Sequence, residues 1–107
     1  MLWLVSCVAK PNIDELREHN HQAHIDYTDG KIKENVLILA GPHMSDDGKT
    51  VLGSLFLINV NSKAEAQAFS KAEPFTQAGM FASVTFTRMR MRRGKWNPAA
   101  MEPELNS

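Results

Sequence analysis

The sequence predicts an α+β domain of the ferredoxin-like split βαβ type, in the order strand, helix, strand, strand, helix, strand. Three observations carry this. Apolar runs rich in β-branched and aromatic residues occur at the start, twice in the middle and near the end of the chain. Between them the apolar spacing changes in two places to helical steps of three and four. Gly, Pro and Asp-Asp-Gly clusters fall at the junctions.

The run LWLVSCVA over 2–9 stops at Lys10-Pro11 and reads as a buried first strand. From Ile13 the spacing Ile13, Leu16, Asn20, Ala23, Tyr27 traces one face of a helix that ends near Gly30. ENVLILAGP over 34–42 returns to strand character and breaks at Gly41-Pro42. His43 to Lys49, with Asp46-Asp47-Gly48, has turn composition rather than the ligand spacing of a calcium loop. VLGSLFLINV over 51–60 is apolar on both alternating faces and needs cover on both. Ser62-Lys63-Ala64-Glu65 is a capping box opening a second helix, with Ala66, Phe69 and Ala72 toward the core. Glu73-Pro74 interrupts that helix, Gln77-Ala78-Gly79 is a second break, and ASVTFTRMRMR over 82–92 alternates as a last strand.

Two helices cover only one face of such a sheet. The doubly apolar third strand therefore predicts a second copy on the other face, a dimer built sheet to sheet. Residues 1–96 are expected to form a single domain, and 97–107 a loose tail.

Composition narrows the function. The 107 residues carry twelve basic and twelve acidic side chains, so the chain as a whole has no field to gather nucleic acid or an anionic membrane. No apolar run approaches the roughly 18 residues of a spanning helix, and the opening lacks a basic region for a signal peptide, so a cytoplasmic location is expected. One cysteine, Cys7, excludes an internal disulfide and sits in an apolar run, as a buried thiol does. Arg88, Arg90 and Arg92 alternate with Met89 and Met91 as a basic stripe ahead of Trp96. An edge strand protected by charge, or arginines that meet a partner subunit or an anionic substrate, explains the stripe more simply than nucleic acid, because the RNP-type aromatic pattern is missing. Trp3 reads as a packing residue of the core or the dimer face, and Trp96 as an anchor for the tail.

Three of the four histidines fall in His19-Asn20-His21-Gln22-Ala23-His24. His21 and His24 share a helix face, but no further ligand pattern surrounds them, and no metal is expected. His19 and His21 read as solvated. His24 lies at the border of the apolar stripe, a setting that suits either a hydrogen-bonded boundary histidine or a general acid or base.

QAH on the first helix, LAGP closing the second strand, GS in the third, EAQAF in the second helix and then EPF follow one another in an order that resembles the YCII-related family across roughly residues 1–92. The resemblance implies the dimeric α+β barrel fold, which muconolactone isomerases share. It implies a histidine and acid pair, carried here by His24 and Glu73. Glu73 stands where the family has aspartate in an Asp-Pro-Phe or Asp-Pro-Tyr step; glutamate is one methylene longer and still accepts from an imidazole N–H. Such a carboxylate fixes the imidazole tautomer and makes the other nitrogen a stronger base. Gly41, Pro42, Ser54 and Phe75 would line the pocket. The implied activity is that of a small-molecule lyase or isomerase acting on a small oxygenated ring or lactone, as a dehydrochlorinase of chlorinated hydroxyhydroquinones does, without a cofactor. A ligand-binding or regulatory dimer without chemistry is the competing expectation.

Overall fold

The computed structural model describes residues 1–95; Trp96 and the tail over 97–107 lie outside the described residues. The elements are β1 (Leu2–Ala9), α1 (Asp14–Lys33), β2 (Leu37–Met44), β3 (Val51–Asn59), α2 (Lys63–Ala72), α3 (Pro74–Gln77) and β4 (Phe81–Met89). The strands form one antiparallel sheet in the order β2-β3-β1-β4, the expected ferredoxin-like arrangement with a one-turn helix added after α2.

Strand register sorts the side chains into rows. On the helix-covered face, Pro42, Ser54, Cys7 and Val84 form one row, Ala40, Phe56, Val5 and Phe86 the next, and Leu37, Ile58, Trp3 and Arg88 the third. Val5, Cys7, Leu37, Phe56 and Ile58 are buried there with Ala66 and Phe69 of α2. Trp3 is half-buried against this core. The opposite face carries Leu39, Leu57, Leu4 and Thr87 in one row and Gly41, Leu55, Ser6 and Thr85 in another. Its leucines are only half-buried, and Val8 beside them is 52% exposed.

Several boundaries differ from the sequence reading. Helix α1 runs past Gly30 to Lys33, because the left-handed residue that stops it is Asn35 (φ 59°). Val36 N–H bonds to Lys31 O at 2.9 Å and Asn35 N–H to Ile32 O at 3.0 Å, the paired contacts of a Schellman motif. Strand β2 starts at Leu37 and continues through Gly41-Pro42 to Met44, so His43 belongs to a strand. Proline is tolerated because β2 is an edge strand, where a missing N–H need not break a ladder. The turn before β3 is as expected: Gly48 takes φ 73°, and Asp47 accepts from Ser45 Oγ at 2.7 Å and Lys49 N–H at 3.0 Å.

In α2, Ser62 accepts from Glu65 N–H at 3.2 Å, while the Glu65 carboxylate reaches back to Asn61 N–H at 2.7 Å. Ala66 and Phe69 are buried as expected, but Ala72 is exposed and Ser70 takes the remaining buried place. Strand β4 ends at Met89, so of the arginine stripe only Arg88 is in the sheet. Arg90 and Arg92 lie beyond the strand and, with Arg88 and Met89, line an open concavity of about 340 Å³.

Among the described residues, no helix is long and apolar enough to cross a membrane.

Candidate active site

The face that α1 turns inward is one position away from the stripe read in the sequence. Leu16 is 41% exposed and Ala23 is exposed, whereas Ile13, His24 and Thr28 are buried. His24 is thus no boundary residue: it is 2% exposed. Thr28, one turn on, donates its hydroxyl to His24 O at 2.9 Å, which ties the two buried polar positions of the helix together.

Glu73 is fully buried, not the solvated helix-end residue its sequence position alone suggests. It ends α2 and is the N-cap of α3, with Pro74 at the first helical position, where a missing N–H costs nothing. Glu73 Oε1 accepts from His24 Nδ1 at 2.6 Å and from Phe75 N–H at 3.1 Å. Glu73 Oε2 accepts from Thr76 N–H at 3.0 Å and from Thr76 Oγ at 3.2 Å. Four donors converge on the two oxygens, the arrangement that suits an acceptor-only carboxylate. The contact also fixes the imidazole: Nδ1 carries the proton that faces Glu73, and Nε2 is left as the acceptor. Among the described residues Nε2 makes no hydrogen bond.

Aromatic rings hold the imidazole in place. Phe75 is stacked on His24, with centroids 4.0 Å apart and planes 10° apart. Phe56 of β3 meets the same ring edge-on at 6.1 Å. The guanidinium of Arg17 stands over Phe75 at 5.8 Å.

The buried carboxylate is felt by its neighbours. Burial, with a smaller push from the Glu73 charge, raises the Cys7 thiol to about 12. Burial also raises the Tyr27 hydroxyl to about 12, with smaller contributions from Glu73 and Glu34. Cys7 is therefore a protonated thiol at neutral pH, unsuited to nucleophilic attack.

Of the candidates named from sequence, the structure brings His24, Glu73 and Phe75 into direct contact. Ser54 and Pro42 are register partners in the row that also holds Cys7, on the helix-covered face. Gly41 is paired with Leu55 and so falls on the opposite face. The glycine required for space is Gly53: a Cβ there would lie 2.0 Å from Cys7 O, so its close approach is to β1. His19 is exposed and His21 half-buried rather than fully solvated. Thr76 and Arg17 escaped the sequence reading. Thr76 was within reach of it, because an acid before Pro at a helix start calls for N–H donors two and three residues on.

These elements define a small α+β domain with a buried histidine and carboxylate pair between its first helix and the turn after its second. The model of the YCII-related domain matches residues 1–90, and the chain belongs to that family. No curated protein matches the chain. Among solved structures it is similar to the 5-chloro-2-hydroxyhydroquinone dehydrochlorinase of Burkholderia phenoliruptrix AC1100, in complex with 2,5-dihydroxybenzoquinone. The two share 28% identity over 84% of this chain and 94% of that one, with a TM-score of 0.74. That neighbour is a lyase of the YCII type, holding a small-molecule ligand.

Proposed function

We propose that this protein is a small-molecule lyase or isomerase in which His24 moves a proton on a small oxygenated ring or lactone and Glu73 holds His24 in position. The observation that carries the reading is the buried 2.6 Å contact between His24 Nδ1 and Glu73 Oε1, on a carboxylate already anchored by Phe75 N–H and Thr76. A fixed carboxylate keeps the imidazole in one tautomer and stabilises the imidazolium that forms when Nε2 takes a proton. Nε2 then returns that proton to another atom of the substrate in an isomerisation, or the substrate expels a leaving group in an elimination. Phe75, Ser54 and Pro42 are the substrate-facing candidates; Gly41 contributes through its backbone alone.

The reading of a neighbour with a bound dihydroxybenzoquinone supports oxygenated rings as the first substrates to screen, followed by muconolactones. With a turned-over substrate in hand, His24→Ala is expected to lower turnover by about a hundredfold to ten-thousandfold. Wild-type turnover in that variant across pH 5 to 9 would sink the assignment. The near-closure of His24, 2% exposed, is what favours a binding module without chemistry; on that reading His24→Ala leaves ligand affinity and every other property intact.

We also propose that the uncovered sheet face, with Leu2, Leu4, Leu39, Leu55 and Leu57, pairs with a second copy of the chain. Half-exposed leucines in the middle of a sheet are poorly placed in water. Sedimentation equilibrium is expected to show a dimer at micromolar concentration, and Leu4→Arg with Leu57→Arg a monomer. A wild-type monomer at that concentration overturns the pairing.

A further inference from the structure

We infer that Arg17 is an anion-binding residue of the same site, and that the substrate meets His24 as a small ring carrying an ionised oxygen. This rests on the function proposed above and names its substrate class.

Arg17 precedes His24 by two helical turns, so both side chains leave the same face of α1. Its guanidinium stands 5.8 Å from the centroid of Phe75, the ring that is stacked on His24 at 4.0 Å. One aromatic ring therefore borders both the cation and the imidazole. Arg17 is half-buried, yet among the described residues its guanidinium has no carboxylate within ion-pair distance and no hydrogen-bond acceptor. Asp14, one turn earlier on α1, is the acidic group that acts on it, from a distance. Burial outweighs that influence and lowers the pKa of Arg17 from its ordinary value. The charge is thus partly stripped of water without a protein partner to replace it.

A guanidinium offers five N–H donors in a rigid fork, which matches a carboxylate or a pair of ring oxygens. Placed beside Phe75, that fork can hold an ionised oxygen at one end of a flat substrate while Nε2 of His24 works on another atom. The plainer role for Arg17 is a stem laid over Phe75 for packing. The two roles differ in one respect: packing does not distinguish a charged ligand from a neutral one.

The test uses the full chain and isothermal titration with two probes. One is 2,5-dihydroxybenzoquinone, whose hydroxyls are vinylogous acids, ionised at neutral pH; the other is 2,5-dimethoxybenzoquinone, the same ring without charge. Arg17→Met keeps the stem, and Arg17→Lys keeps the charge without the fork. Arg17→Met is expected to weaken binding of the dihydroxy probe by about tenfold or more, the loss of one charge-assisted hydrogen bond, with Arg17→Lys in between. Binding of the dimethoxy probe is expected to be the same in all three proteins. Equal losses for both probes, no loss for either, or a wild type that binds the dihydroxy probe no better than the dimethoxy probe would overturn the inference. Thermal unfolding of Arg17→Met at the wild-type temperature separates a binding defect from a folding one, and Arg17→Lys stands in if it melts early. The two readings fail separately. Full turnover in His24→Ala sinks the proposed function while a tenfold Arg17→Met effect on the anion stands; the converse result sinks only the role of Arg17.

Discussion

Helices α1 and α2 cover the same face of the sheet, and Phe56 touches a buried side chain of each, His24 and Phe69. They are held there by opposite means. In its ten residues α2 buries Ala66, Phe69 and Ser70, mostly apolar material that leaves water favourably. In its twenty residues α1 fully buries only His24 and Thr28. A helix of that length with so little apolar burial is positioned by hydrogen bonds, and those bonds lead to Glu73. The contrast teaches where to look for chemistry in a small domain: in the element whose inward face is polar although an apolar one would hold it as well. Buried ionic pairs are often no more stabilising than a hydrophobic replacement, so their presence calls for a further reason.

The largest stability effect expected from this contrast lies at Glu73. Glu73→Leu removes the acceptor for His24 Nδ1, Phe75 N–H and Thr76 N–H at once and leaves those donors buried. Breaking a buried pair by deleting one partner costs about 3–5 kcal/mol, and urea unfolding should show a loss of that size. Glu73→Gln keeps an acceptor oxygen and should cost clearly less. If Glu73→Leu unfolds at the wild-type urea midpoint, α1 is held by packing after all and the comparison of the two helices collapses.

The same contrast explains what was legible in the sequence. Everything that follows apolar periodicity was: the strands, their order, α2 with its cap at Ser62, and the burial of Cys7, Ala66 and Phe69. Helix α1 was legible as a helix but not as to which side faces inward, because its exposed Leu16 and Ala23 and its buried His24 and Thr28 invert the usual preference. Its end was misplaced because Gly30 is the stronger stop signal in general, whereas Asn35 is the residue that takes the left-handed conformation here. The partnership of His24 with Glu73 joins residues 49 apart in the chain, a contact that no local spacing encodes. It came from the family resemblance instead. Gly41 was assigned to the pocket because it precedes Pro42, but neighbours along a strand point to opposite faces.

A smaller effect is expected at the cap of α2, and it tests the other half of the comparison. Ser62→Ala removes the acceptor for Glu65 N–H at the start of the helix. Loss of such a cap costs typically about 1 kcal/mol. Because α2 touches His24 only through Phe56, turnover in this variant should stay at the wild-type level once a substrate is known. A large loss of turnover with a small loss of stability would mean that α2 positions the pair as well.

The smallest effect is the one by which the sheet reports on the buried carboxylate. Cys7 lies on β1 in the row beneath the site, and burial, with a lesser contribution from Glu73, raises its thiol from an ordinary value of 9.0 to about 12. The sign follows from proton binding. Between those two values the unfolded chain has already lost the thiol proton while the folded chain still holds it, so raising the pH favours unfolding. The stabilisation is present in full below pH 9 and is lost as pH climbs toward 12. By pH 9.5 the loss from Cys7 should amount to a little under about 1 kcal/mol, measured as a difference between urea midpoints at pH 8 and pH 9.5. Tyr27, also raised to about 12, adds in the same direction at higher pH. Cys7→Ala is expected to be less stable than the wild type at pH 8, because a buried group is removed, yet nearly flat between pH 8 and 9.5. Glu73→Gln should lessen the slope without removing it, since burial is the larger cause. A wild-type profile that is flat through pH 9.5, or a slope that survives in Cys7→Ala, would show that the thiol is not closed off beneath the site as the structure has it.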